Sequence, residues 1–155
     1  MAIRELLDAL HEGGVDFVVI GGVAMVARGS SRATFDLDIC HSREKSNLER
    51  LAAAITPFRP VLRGADPGLP FLWDAQTLRS GLNFTLRTEV GDLDLLGEVP
   101  GLGAYDAVLA ASARTALFGR DTHVLTLDGL ERAKRAAGRA KDFLDLATIE
   151  ELKRL

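Results

Sequence analysis

The stretch Phe17-Val18-Val19-Ile20-Gly21-Gly22, with Thr34-Phe35-Asp36-Leu37-Asp38 a short way downstream, decides how this chain folds. The apolar run before the glycines is short and continuous, which is typical of a buried strand. The glycine pair predicts a turn from that strand into a short helix over 23–28. The second stretch predicts another strand over 35–40. The glycines serve either a tight turn alone or, through free backbone N–H groups at a helix start, a bound phosphate.

Two aspartates on the second predicted strand point to a metal. Alternate residues of a strand share a face, so Asp36 and Asp38 should project together. The apolar residues Phe35, Leu37 and Ile39 should then face the core. Neighbouring carboxylates repel each other, and magnesium, which prefers hard oxygen ligands, would remove that repulsion. The alternative is a solvated strand face, neutralised by a nearby arginine (Arg28 or Arg32).

A further acidic strand could complete the site. The segment 92–96 again carries two acids on one face, Asp92 and Asp94. If it lies beside 35–40, one of these acids completes a three-carboxylate cluster. Such a cluster can hold two magnesium ions around a transferred phosphorus. Spacing alone leaves open which of the two acids is the third ligand.

The whole chain has the composition of one globular domain, 1–155. It has 155 residues, 47% hydrophobic and 26% charged, and a net charge of −3, which disfavours a protein that coats nucleic acid. The single cysteine, Cys40, excludes an internal disulfide and should pack as a small apolar residue. The N-terminal segment does not resemble a signal peptide, and no apolar run reaches the roughly 20 residues that span a membrane. We therefore expect a cytoplasmic protein with no membrane partner.

The remaining pattern predicts an α+β fold, with a mixed β-sheet flanked by helices and a C-terminal helical segment over 127–155. The predicted helices are 3–12, 42–55 with Ser42 as N-cap, 105–111, one capped by Thr126 or Asp128, and 140–155. The last helix should turn Phe143, Leu144, Ile149 and Leu152 inward. Two hairpins are expected, 83–88 with 92–96 and 115–117 with 123–125. An irregular segment over 57–70 contains Pro57, Pro60, Pro67 and Pro70.

Four motifs in order resemble the nucleotidyltransferase superfamily, which includes polymerase beta, the minimal nucleotidyltransferases and the AbiEii-like toxins. Gly21-Gly22, Thr34-x-Asp36-x-Asp38 and the later Asp94 resemble its signature. The run 29–38 resembles the Gly-x-x-Arg-x-Thr-x-Asp-x-Asp of small bacterial members, some encoded in toxin–antitoxin operons. The tail 134–142 resembles their Lys-x-x-Ala-Gly-Arg-x-Lys-Asp. Linked motifs over most of a chain are more specific than any one of them.

The resemblance implies a magnesium-dependent enzyme that moves a nucleoside monophosphate from a nucleoside triphosphate to an acceptor hydroxyl and releases pyrophosphate. Asp36, Asp38 and Asp94 would be its metal ligands and catalytic residues; Asp94 is favoured over Asp92 because it directly precedes the Leu-Leu pair. The expected nucleotide-binding residues are Gly21, Gly22, Arg32, Lys134 and Lys141, although the two lysines could equally lie on a solvated helix face. The acceptor could be RNA, a protein or a small molecule, and a homodimer or a toxin–antitoxin partner could complete the cleft. The alternative function is a nucleotide-binding or toxin–antitoxin regulatory module with little or no turnover.

Overall fold

A mixed seven-stranded sheet forms the centre of the molecule. The computed structural model describes residues 2–66 and 68–155, so Met1 and the predicted loop residue Pro67 lie outside the described residues. The strands of this sheet are β1 (Phe17–Ile20), β2 (Leu37–His41), β3 (Val61–Leu62), β4 (Asn83–Thr88), β5 (Gly91–Leu96), β8 (Ser112–Leu117) and β9 (Arg120–Leu125). Across the sheet they lie in the order β3-β4-β5-β2-β1-β9-β8. A separate two-stranded ribbon consists of β6 (Glu98–Val99) and β7 (Gly103–Ala104). The predicted α+β class with a mixed sheet is confirmed.

Seven α-helices surround the sheet in the described part of the chain. They are α1 (Ala2–Glu12), α2 (Gly21–Ala27), α3 (Lys45–Ile55), α4 (Ala75–Ser80), α5 (Tyr105–Ala110), α6 (Leu127–Ala137) and α7 (Ala140–Lys153). The last two pack against each other, and α6 also contacts α2 and β9. Within the described residues, none of these helices combines the length and apolar character needed to cross a bilayer.

The three central strands fix the register on which the site depends. Strand β1 runs antiparallel to β2, with Ile20 opposite Asp38. Strand β2 runs parallel to β5, with Asp38 opposite Asp94. Leu37 and Ile39 are fully buried, as expected, and so is Cys40. Because Leu37 and Ile39 occupy the core face, the alternate face of β2 and β5 carries the carboxylates.

The predicted strand over 35–40 begins two residues late. Strand β2 starts at Leu37, so Asp36 lies in the preceding loop, and Phe35 is 81% exposed rather than in the core. The cause is the shortness of β1. Its pairing with β2 ends at Ile20 opposite Asp38, and the chain then turns into α2. Phe35 and Asp36 therefore have no strand residue opposite them on that side.

The inward face of α7 also differs from the prediction. Phe143 and Leu144 are 62% and 75% exposed, whereas Asp142 and Asp145 are buried together with Ile149. Apolar spacing suggested the opposite side because carboxylates are rarely buried unless they are paired. Here both aspartates meet basic side chains, which offsets the cost of removing them from water.

Other differences concern element ends. Helix α2 begins at Gly21 rather than at residue 23, and Glu44 rather than Ser42 is the N-cap residue of α3. The irregular segment contains β3 and a short 3-10 helix (Thr56–Phe58). Both hairpins form, the second one longer than expected. Of the two proposed caps for α6, Thr126 is the one observed: its side chain accepts a hydrogen bond from the Gly129 N–H.

Candidate active site

A cleft of about 550 Å³ opens over the carboxylate face of the sheet. Its size is within the roughly 300–1,000 Å³ range of small-molecule sites. Its walls come from β1, β2, β4 and β5, from the loop between α2 and β2, and from α6 and α7. All eight residues expected at a nucleotide site line it: Gly21, Gly22, Arg32, Asp36, Asp38, Asp94, Lys134 and Lys141. Folding thus brings together side chains that are more than a hundred positions apart in sequence.

Asp38 and Asp94 stand next to each other on neighbouring strands. The parallel pairing of β2 and β5 places them in register, so their side chains share the cleft face. Asp92 lines no part of this cleft and lies 3.3 Å, through its Oδ2, from Arg63 Nη1. The tertiary structure therefore favours Asp94 over Asp92 as the partner of Asp38.

The charge on Asp38 is unfavourable in the protein alone. Burial, followed by the neighbouring Asp94 carboxylate and then by Asp36, raises the pKa of Asp38 to about 7. Lys134 acts in the opposite direction but more weakly. Asp94 has a cation of its own, because Arg63 Nη2 donates to Asp94 Oδ1 at 2.6 Å. An added cation beside Asp38 would relieve the remaining repulsion.

Asp36 is the member of the acidic set that lies outside the sheet. It lies in the loop before β2 and is exposed, although it lines the cleft. Among residues 2–66 and 68–155, no three or more His, Cys, Asp or Glu side chains are already grouped so that they could hold a metal ion. The acid pair on the sheet is thus preformed, and Asp36 as a third ligand stays a prediction.

The glycine pair is required by close packing against site side chains. Gly21 has a φ of +65°, and a Cβ there would lie 2.1 Å from Asp38 Oδ2. A Cβ on Gly22 would lie 2.6 Å from Thr34 Oγ1. Both contacts are too short for any larger residue, so the glycines let Asp38 and Thr34 approach the start of α2. Close packing alone therefore explains why two glycines occur at this spacing from the Asp-x-Asp motif, with no bound ligand needed.

Three basic side chains of the cleft share two aspartates of α7. Arg32 Nη1 donates to Asp145 Oδ1 at 2.6 Å, and Lys134 Nζ is 2.9 Å from Asp145 Oδ2. Arg139 binds Asp142, whose pKa falls to about 2 chiefly because of that hydrogen bond. Lys134 also approaches Asp142, at 3.5 Å. We name Arg32, Lys134 and Arg139, together with their partners Asp142 and Asp145, the cation cluster.

Two other basic residues differ in their environment. Lys141 lines the cleft, is exposed, and forms no ion pair with any described residue. Arg28 does not reach the aspartates: it donates to the carbonyl oxygens of Val124 and Leu125, each at 2.8 Å. It therefore ties α2 to β9, and the alternative that Arg28 neutralises the aspartates is wrong.

Three residues of the site have no counterpart in the sequence analysis. For Asp145 the sequence did contain a signal: it follows Asp142 by three residues, and this spacing predicts that both acids lie on the same face of the helix. Asn83 opens a predicted strand and gave no signal of its own. Arg63 lies in the proline-rich segment, where no periodicity shows which way a side chain points. Only the pairing of β3 with β4 carries it to Asp94.

Comparison with known proteins identifies the fold. No protein-family model and no curated protein matches the chain. Several solved structures, in contrast, match the chain. A nucleotidyltransferase-type protein of Thermotoga maritima covers 98% of this chain and 91% of its own, with a TM-score of 0.60 at 15% identity. The lincosamide antibiotic adenylyltransferase LnuA, solved with lincomycin bound, covers 97% and 96%, with a TM-score of 0.65 at 12% identity.

A third structure agrees with these two. ANT(2'')-Ia, solved in complex with adenylyl-2''-tobramycin, covers 96% of this chain and 95% of its own, with a TM-score of 0.52 at 15% identity. At such low identity the likeness concerns the arrangement of helices and strands. Because all three match over nearly their full length, the chain has the nucleotidyltransferase fold.

Proposed function

We propose that the chain is a magnesium-dependent nucleotidyltransferase that moves a nucleoside monophosphate from a nucleoside triphosphate to an acceptor hydroxyl. One observation carries the proposal: Asp38 and Asp94 lie in register in a cleft that the basic residues of the cation cluster also line. Carboxylates suit a metal–phosphate centre, and arginine and lysine suit the phosphates themselves. The fold shared with adenylyltransferases supports the same chemistry.

The acid set fits magnesium by its chemistry. Asp38 and Asp94 offer hard oxygen ligands, and burial beside a second carboxylate makes the anionic form of Asp38 costly without a counter-cation. Asp36 would join them from its loop. Magnesium bound there would neutralise charge on the phosphates and make the acceptor hydroxyl more acidic.

In the proposed reaction, the acceptor hydroxyl oxygen forms a bond to the α-phosphorus while the bond from that phosphorus to the bridging oxygen of the β-phosphate breaks. Pyrophosphate leaves, and the hydroxyl proton passes to the Asp94 carboxylate. Arg63, hydrogen-bonded to Asp94 Oδ1, fixes the orientation of that carboxylate. Arg32 and Lys134 hold the β- and γ-phosphates, which aligns the leaving group.

We further propose a compact, hydroxyl-bearing small molecule as the acceptor. Beyond Asp94 on the sheet, the cleft lining is uncharged: Asn83, Leu96, Val99 and Pro100. Asn83 Oδ1 accepts from the Gly97 N–H at 3.1 Å, which leaves its NH₂ group as a donor for an acceptor oxygen. A nucleic-acid acceptor would call for basic residues along this wall. A homodimer, a toxin–antitoxin partner and membership of the AbiEii-like subgroup stay predictions from the sequence.

The direct test is pyrophosphate release from each of the four ribonucleoside triphosphates with magnesium, against a panel of hydroxylated small molecules, tRNA and proteins. Asp38→Asn and Asp94→Asn should reduce release by at least about a thousandfold, as expected for loss of charge stabilisation at the reacting phosphorus. Asp121→Asn, an exposed carboxylate on β9, is the matched control and should be unaffected. Magnesium-dependent triphosphate binding with no pyrophosphate from any acceptor would instead favour a nucleotide-binding module.

A further inference from the structure

Asp145 is the shared partner of two basic residues that come from different parts of the fold. Arg32 belongs to the loop between α2 and β2, and Lys134 belongs to α6. One oxygen of Asp145 accepts from Arg32 at 2.6 Å, and the other lies 2.9 Å from Lys134. The Asp145 side chain lines the cleft but is only 11% exposed, and these two cations engage both of its oxygens. A single carboxylate on α7 therefore sets the positions of both.

Arg32 keeps donors available for a ligand, and Lys134 lines the same cleft. Arg32 uses one Nη nitrogen on Asp145, and its side chain makes no other hydrogen bond or ion pair with the described residues. Its side chain remains 44% exposed, so the rest of the guanidinium fork is open to the cleft that it lines. A planar fork held at one end is well placed to give bidentate hydrogen bonds to a phosphate.

The charge of the cation cluster also suits an added anion. Arg32, Lys134 and Arg139 contribute three positive charges, and Asp142 and Asp145 contribute two negative ones. The cluster thus keeps an excess of one positive charge while every charged side chain already has a partner. Such a cluster can be rigid before the ligand arrives, so that little ordering is needed on binding.

We propose that Asp145 is a positioning residue for the triphosphate: it holds Arg32 and Lys134 so that their open donors meet the β- and γ-phosphates. It acts through these two cations and does not itself touch the nucleotide. This inference rests on the proposed function, since it assumes that the cleft binds a nucleoside triphosphate. The Asp145 carboxylate would then determine how strongly the site prefers a nucleoside triphosphate over a monophosphate, although its negative charge by itself would repel both.

The experiment compares the affinities of the full chain for ATP and AMP in the presence of magnesium, measured by calorimetry. Asp145→Asn should weaken ATP binding about tenfold or more, the size expected when charge-assisted contacts lose their alignment. AMP binding should change less than about twofold, because AMP carries no β- or γ-phosphate. Arg32→Gln and Asp145→Asn combined should weaken ATP binding by less than the product of the single effects, because part of the Asp145 effect passes through the Arg32 guanidinium.

Lys153→Met is the matched control. Lys153 also joins α7 to α6, through Asp128 and Glu131, but at a place away from the cleft. If Asp145 only holds the helices together, this variant and Asp145→Asn should lower the melting temperature alike and leave the ATP-to-AMP ratio unchanged, which overturns the proposal. Tighter ATP binding by Asp145→Asn also overturns it, because the carboxylate would then be a competitor of phosphate.

A second variant keeps the test valid if Asp145→Asn does not fold. Asp145→Glu keeps the charge but moves it by one methylene, so its ATP affinity should fall between those of the wild type and Arg32→Gln, again with AMP binding unchanged. Unaltered ATP binding by Asp145→Glu and Arg32→Gln together refutes the positioning role. Wild-type protein that binds neither nucleotide refutes the proposed function as well, which separates the two failures.

Discussion

Replacing Asp38 with Asn should stabilise the metal-free protein at pH 8 and change its stability little at pH 4. In the folded protein the pKa of Asp38 is about 7, against an ordinary value of 3.8, because of burial and the adjacent Asp94. Between these pH values the folded state retains a proton that the unfolded state releases. The contribution of Asp38 to the free energy of unfolding of the wild type therefore decreases as pH rises through this window, by about 1.4 kcal/mol per pH unit.

The full effect follows from the size of the pKa shift. Above pH 7 the carboxylate is ionised in both states, and the cost of burying it next to Asp94 is complete. A pKa of about 7 against 3.8 corresponds to about 4 kcal/mol at most. Asparagine has a similar shape without the charge, so the variant escapes this cost. The difference in unfolding free energy, variant minus wild type, should rise from pH 4 to pH 7 and then level off.

Urea denaturation at a series of pH values in the presence of EDTA measures this difference directly. Asp121→Asn, whose carboxylate is 67% exposed, provides the control and should give a nearly flat difference curve. Adding magnesium at pH 8 should stabilise the wild type and leave Asp38→Asn unchanged, because the metal would lose a ligand. A difference between Asp38→Asn and the wild type that does not vary with pH would refute the reasoning.

Three further predictions concern the glycine pair and a buried histidine. Gly21→Ala and Gly119→Ala both place Ala at a positive φ, which costs about 1–2 kcal/mol. Only the Cβ of Gly21→Ala collides with Asp38. Gly21→Ala should therefore also lose the magnesium-induced rise in melting temperature, whereas Gly119→Ala should keep it. Gly22→Ala should weaken ATP binding and destabilise the fold, because its Cβ would collide with Thr34 Oγ1. Adding Thr34→Ala to this variant should recover part of the stability. If the double variant recovers none, another contact is responsible. His41 is buried and its Nε2 has no partner among the described residues. Burial lowers the pKa of His41 below its ordinary 6.5, so the contribution of His41 to stability falls as pH drops below that value. The difference in thermal stability between His41→Leu and the wild type should therefore shift in favour of the variant from pH 7 to pH 5.

Local chemistry was enough to predict most elements of the fold. The buried run Phe17–Ile20 and the hairpin of β4 and β5 follow from apolar continuity, from alternation and from the glycines that end each run. The same rules failed at Phe35 and at Phe143, which are both exposed. Phe35 lies beyond the end of a short neighbouring strand, and Phe143 lies on a helix whose inner face is taken by paired aspartates. In both cases a residue elsewhere in the chain decides the burial.

The chemical groups of the site can be identified along the chain: a glycine pair, an Asp-x-Asp motif, a later aspartate and a basic tail, in an order that resembles the nucleotidyltransferases. Short-range sterics and side-chain periodicity carry that information, so it can be read along the chain. Three relations are visible only in the folded chain: the register that pairs Asp38 with Asp94, the hydrogen bond from Arg63 to Asp94, and the joining of Arg32 to Lys134 by Asp145. Those relations depend on strand register and on ion pairs between residues far apart in sequence, and neither is encoded in local spacing.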